Sequence, residues 1–173
     1  MRMRTRALAA LLCTAALVIP AQPATTPNSA ITPQTPNVGK VQFLQGTDVA
    51  GTYKSAYTGG ANGSKIVAIY ATSNDASLAH LVTWQISSST SAHCSPATSC
   101  FGGAAVTVPI NAGFANAAPA INLMSQGNWP GPVDSDGNTF FFLPSSSYTI
   151  EVTFATALTS TDWINVVVVA SDF

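Results

Sequence analysis

Apolar and polar residues alternate strictly along Tyr148-Thr149-Ile150-Glu151-Val152-Thr153-Phe154. A period of two is the signature of a strand, so Tyr148, Ile150, Val152 and Phe154 share one face and Glu151 lies on the other. Val82-Thr83-Trp84-Gln85-Ile86 repeats the pattern over a shorter length. Val166-Val167-Val168-Val169, preceded by Trp163 and Ile164, is a continuous β-branched run and predicts a strand covered on both faces. On that reading Val167→Asp buries an unpaired charge and prevents folding. Ile66-Val67-Ala68-Ile69-Tyr70 and Phe140-Phe141-Phe142-Leu143 are two further dense runs, and weaker strands are expected at Val41 to Leu44, Thr52 to Tyr57, Ala104 to Ile110 and Ala120 to Met124.

Turn-forming clusters separate these runs. Thr58-Gly59-Gly60-Ala61-Asn62-Gly63 joins two strands, and its Asn-Gly pair signals a hairpin. Asp134-Ser135-Asp136-Gly137-Asn138 precedes the phenylalanine run, and Pro144-Ser145-Ser146-Ser147 follows it. No helical period of convincing length occurs. Eight or nine short strands with closely spaced turns predict an all-β fold, a single antiparallel β-sandwich of jelly-roll type.

The N-terminal region reads differently. Arg2, Arg4 and Arg6 precede the apolar run Ala7 to Ile19, which leads to Pro20 and the small-residue stretch Ala21-Gln22-Pro23-Ala24. A basic start, a short apolar stretch and a small-residue exit form the layout of a secretory signal, and the run is shorter than the about 20 residues a membrane span needs. Residues 1–24 are therefore read as a signal peptide or a leader added by a mis-called start. Residues 25–39 contain Pro27, Pro33 and Pro36 among Thr, Asn, Ser and Gln. Proline removes donors and fixes the backbone, so this stretch is expected to be an extended arm or linker. The sandwich domain is expected over residues 40–173.

Composition narrows the partners. Of 173 residues 47% are hydrophobic and only 8% charged, with six Lys and Arg against seven Asp and Glu. That excludes a highly charged disordered chain and offers no basic stripe for nucleic acid. Without the leader, three lysines stand against seven acids, a net charge of −4, which disfavours anionic membrane surfaces. A chain of this length buries roughly 70% of its unfolded surface, so a core needs no metal.

The search for chemistry is mostly empty. No Gly-x-Ser-x-Gly elbow and no Gly-rich phosphate loop with lysine occurs. Glu151 is the one glutamate, and its spacing suggests no carboxylate pair. His80 sits in a strand pattern and reads as a surface or half-buried residue rather than a base. Asp134, Asp136 and Asn138 could offer oxygens to calcium, but Asp and Asn beside Gly are also what a tight turn requires, and the turn is the expectation. Cys94 and Cys100 flank a five-residue loop and can close it as a disulfide in an oxidising compartment; free thiols, or a metal held with His93, remain alternatives. Trp84 and Trp163 are expected in the core. Trp129, in Gly127-Asn128-Trp129-Pro130-Gly131-Pro132, is the candidate for a displayed, sugar-stacking ring. No catalytic residue, cofactor or metal is expected.

From Ile31 to Phe173 the chain resembles small β-rich proteins that tailed phages and prophages encode near their head genes. The resembling stretches are Ile31-Thr32-Pro33-Gln34-Thr35-Pro36, Tyr57 to Ile66, Ala71 to Asp75, Val106-Thr107-Val108-Pro109, Pro119 to Leu123, Pro130 to Asn138, and Ile164-Asn165-Val166 with Ala170-Ser171-Asp172-Phe173. The resemblance implies a non-enzymatic virion-associated protein, such as a capsid decoration or auxiliary head protein, with capsid or other virion subunits as partners and a homo-trimer as a common assembly. It brings no catalytic residues. The leader and the Cys94 to Cys100 loop depart from that pattern. A start-site artefact would leave the protein in the virion; a genuine leader would make it an exported, periplasmic or extracellular β-sandwich for adhesion or carbohydrate binding.

Overall fold

Val, Ile, Thr and aromatic residues dominate the apolar runs, and these side chains pack best on a pleated surface. The computed structural model describes residues 35–88, 100–125, 127–159 and 161–173, all within a unit that spans Ile31–Phe173. The runs form nine strands: β1 (Thr35–Leu44), β2 (Lys54–Thr58), β3 (Ser64–Ser73), β4 (His80–Ser87), β5 (Cys100–Val108), β6 (Ile121–Asn122), β7 (Phe141–Leu143), β8 (Thr149–Phe154) and β9 (Trp163–Asp172). No helix occurs among the described residues.

The strands make two antiparallel sheets. The first has the order β1-β9-β3-β6, with β7 also paired to β3, and the second has the order β2-β8-β4-β5. Sequential strands therefore alternate between sheets, except that β4 leads to β5 in one sheet and β6 to β7 in the other. This interleaving of two layers, in which the short β6 and β7 share one flank of β3, is the jelly roll. It corrects the hairpin expected at Asn62-Gly63: β2 and β3, which that turn joins, belong to different sheets. Gly63 has φ +100°, and its amide donates to the Gly60 carbonyl at 3.0 Å. The chain turns tightly there, but it leaves one layer for the other.

Between the sheets lie Phe43, Ile66, Ile69, Val82, Trp84, Ile150, Val152, Phe154, Ile164 and Val168, each at most 1% exposed. Trp84 stacks on Phe141 with ring centroids 5.5 Å apart and 7° between planes, and its indole N–H donates to the Leu123 carbonyl at 3.2 Å. Packed aromatic pairs of this kind contribute about 0.5–1.5 kcal/mol beyond their burial.

β9 departs from the two-faced expectation. Its burial alternates: Ile164, Val166, Val168 and Ala170 are buried, and Trp163, Asn165, Val167 and Val169 between them are only half-buried. A jelly-roll sheet packs one face on the core and leaves the other outside, so a β-branched run here is covered on one side only. Trp163 accordingly lies outside the core, edge-on to Phe114 at 5.7 Å. β1 begins at Thr35, ahead of the Lys40 start expected, and pairs in unbroken register with β9 from Thr35↔Asp172 to Leu44↔Trp163. Pro36 is tolerated because β1 is an edge strand, whose outer amides need no partner.

Where β1 passes over β2, the backbones nearly touch. A Cβ on Gly39 would stand 2.2 Å from the Ala56 carbonyl oxygen. Gly39→Ala should therefore force the two sheets apart at this corner and cost about 1–3 kcal/mol, read as a lowered melting temperature; an unchanged melt would mean the corner is loose.

Candidate functional site

His80 opens β4, and its side chain is fully buried together with that of Asp75. The loop after β3 folds back on the Asp75 carboxylate. Oδ1 accepts from the Ser77 amide, the Ser77 hydroxyl and the Leu78 amide, each at 2.8 Å. Oδ2 lies 2.9 Å from His80 Nε2, and His80 Nδ1 lies 3.2 Å from the Thr156 carbonyl. A carbonyl only accepts, so Nδ1 is placed to donate to Thr156, and Nε2 faces the Asp75 carboxylate. Burial pushes the Asp75 carboxyl upward, but the Ser77 amide, His80, the Ser77 hydroxyl and the Leu78 amide outweigh it and bring it down to about 2. Both ring nitrogens are engaged, so neither offers a lone pair to a substrate. The pair bolts the β3–β4 loop and the start of β4 to the segment after β8. The sequence placed His80 at or near the surface; the partner that makes its burial tolerable is five residues upstream.

A second polar lock closes the other end. Asp172 Oδ1 accepts from the Ser64 hydroxyl at 2.5 Å and from the Tyr57 hydroxyl, and Oδ2 accepts from the Asn37 side-chain amide at 2.8 Å. Tyr57 is pushed up to about 12, by burial first and by the Asp172 carboxylate next. Burial raises Asp172, but its Ser64, Tyr57 and Asn37 donors prevail and hold it below the usual carboxylate range. β1, β2, β3 and β9 are tied through one carboxylate. No sequence motif marks this cluster, because its members are far apart along the chain and meet only when the sheets close.

The Asp134 loop is a turn. Its carboxylate Oδ1 accepts from the Asn138 amide at 2.8 Å and the Asp136 amide at 3.0 Å, and these amides lower its pKa. Gly137 has φ +81°, the conformation such a turn assigns to glycine. Among the described residues no three His, Cys, Asp or Glu side chains gather in a group that could hold a metal. Cys94 lies outside the described residues, so the expected bridge rests on a residue the structure does not describe. Cys100 begins β5 opposite Ser87.

Trp129 is not a displayed ring. It is half-buried, packs on the core, and tilts against Trp84 at 5.1 Å and Phe141 at 6.1 Å. Gly102 of β5 and Gly131 both lack the Cβ that would collide with its indole. The loop folds inward because an indole buries more apolar area over the open margin between β5 and β7 than it gains in water.

The large exposed apolar side chains are elsewhere. Val38 is 62% exposed, Phe142 51%, Tyr70 40% and Val67 36%, and the β1-β9-β3-β7 register sets them on or beside the outer face of the first sheet. Phe142 continues edge-on to Phe140 and on to Phe173, at 5.4 and 5.9 Å. Lys65 places its ammonium 4.7 Å from the Phe140 ring centroid. Between this face and the Asp134–Phe140 segment lies a cleft of about 310 Å³ that includes Val67, Ala68, Tyr70 and Val169. The outer face of the second sheet carries Thr83, Gln85, Glu151 and Thr153, with Leu81 exposed toward its β5 side. No family model and no curated protein matches the chain.

Proposed function

We propose that this chain is a non-enzymatic structural protein of a phage or prophage particle, an auxiliary or decoration subunit seated on the capsid. The observation that carries this reading is the apolar outer face of the first sheet, where Val38, Val67, Tyr70 and Phe142 are exposed together. Exposed apolar side chains gathered on one sheet face, with Lys40 and Lys65 among them, suit attachment to another protein surface. The jelly roll is used by capsid subunits as well as by lectins and cupins, so the fold supports the reading by analogy alone. The resemblance of Ile31 to Phe173 to phage proteins selects the capsid branch. Trp129, the ring offered for the carbohydrate alternative, is half-buried and packs against Trp84.

Particles released from host cells that carry the gene should contain the protein in fixed ratio to the major capsid subunit, measured by mass spectrometry. Tyr70→Asp with Phe142→Asp replaces side chains that are 40% and 51% exposed; losing the Phe140 and Phe173 contacts of Phe142 should cost about 1–2 kcal/mol and leave the protein folded, while co-sedimentation with particles is lost. Particles without the protein, or attachment indifferent to both changes, would refute the proposal.

A further inference from the structure

An edge strand leaves half its amides and carbonyls facing outward, ready to pair with another strand. Three of the four sheet margins of this fold carry a device against that. β1 contains Pro36 and is pressed against β2 at Gly39. β2 has five residues, a bulge between Ser55 and Tyr57, and Lys54, which pairs with Asp48 at 2.6 Å. β6 and β7 are two and three residues long.

β5 differs. Its partner among the described residues is β4 alone, and none of its nine residues is charged or proline. The register shift opposite Gln85 and Ser87 disturbs it at Phe101 and Gly102, but Gly103 to Val108 pair with Gln85 to His80 without a break. Ala105 and Thr107 are exposed, on the outer face of the sheet. Phe101, 54% exposed, and Leu81, 41% exposed and paired with Thr107, extend an apolar border along the strand.

We propose that β5 pairs antiparallel with β5 of a second copy of this chain across a two-fold axis, merging two four-stranded sheets into one continuous layer. Such a pair sets a strand against its own reverse, so any charge on it would face a like charge across or near the axis. β5 carries none, which removes the repulsion that normally forbids self-pairing. Centred on Ala105, the register sets Gly103 opposite Thr107, a small residue against a larger one on both sides of the axis. The chain's own 25–34 segment is a poorer occupant, because Pro27 and Pro33 cannot donate to a ladder. Closure about the axis also consumes the β5 margin of both copies, so the assembly stops at two through this strand. This pairing does not depend on the virion reading.

Sedimentation velocity on the full chain tests it. The wild type should sediment as a dimer, and Ala105→Lys should weaken association at least about tenfold by placing two ammonium groups face to face. An equimolar mixture of Ala105→Lys and Ala105→Glu should restore the dimer, which a merely misfolded variant would not do. Alternate amides between Gly103 and Val108 should exchange hydrogen slowly at high concentration and quickly on dilution. A wild type that is monomeric at its highest soluble concentration, a dimer that Ala105→Lys leaves intact, or a mixture that stays monomeric would each overturn the pairing.

Discussion

Val168→Asp should abolish folding, and the same change one residue earlier, at Val167, should leave a folded protein. Val168 is fully buried and faces the second sheet, with Gly39 and Ile69 as its neighbours in register. Losing the valine forfeits about 1.5–3 kcal/mol of apolar burial, and an ionised carboxylate with no partner costs several kcal/mol more. Against a typical total of about 5–15 kcal/mol, that sum removes the native state. Val167 faces outward, with Lys40 opposite on β1 and Tyr70 opposite on β3. A carboxylate there remains in contact with water and comes beside the Lys40 ammonium, so the change should stay within about 1 kcal/mol. Soluble yield, far-ultraviolet circular dichroism and thermal melts of the two variants decide it. A folded Val168→Asp with an unfolded Val167→Asp would mean that β9 is shifted by one residue, because one step turns every side chain to the opposite face.

Asp75→Ala should be the most damaging change outside the apolar core. It leaves the buried His80 ring without its carboxylate partner and strands the Ser77 and Leu78 amides. Leaving a buried donor unsatisfied costs about 1–3 kcal/mol per group. The pH dependence has a definite sign. The Asp75 carboxyl is depressed from 3.8 to about 2 in the folded protein, so its contribution is complete above about pH 4 and is lost as the pH falls through 2. That contribution is about 2 kcal/mol. Urea titrations between pH 5 and 2 should show wild-type stability falling more steeply than that of Asp75→Ala; parallel curves would mean that the carboxylate is not paired in the native state.

The positions of all nine strands were legible because each is a short apolar or alternating run bounded by Gly, Pro, Asn or Ser, and those signals are local. The alternation from Thr149 to Phe154 states its inward face outright. The valine run of β9 does not, because four β-branched residues in a row look the same whether one or both faces are covered. The Asn62-Gly63 turn was readable as a turn but not as a passage between layers, since the same left-handed glycine serves both. The packing of Trp129 was not legible, because a loop tryptophan is displayed or covered according to whether a gap lies beneath it. That gap, between β5 and β7, exists only once the sheets have closed.

Sequence alone therefore determined the all-β class, the strand positions and the scarcity of charge, because strand propensity, period-two patterning and composition are properties of neighbouring residues. Tertiary structure decided the strand order, which face of β9 meets the core, the burial of Asp75 with His80, the gathering of Asn37, Tyr57, Ser64 and Asp172, and the place of β5 at a sheet margin with β4 as its one strand partner among the described residues. Each of these depends on how the two sheets close over one another, and their energies are set by what a side chain meets after folding, which no local pattern encodes.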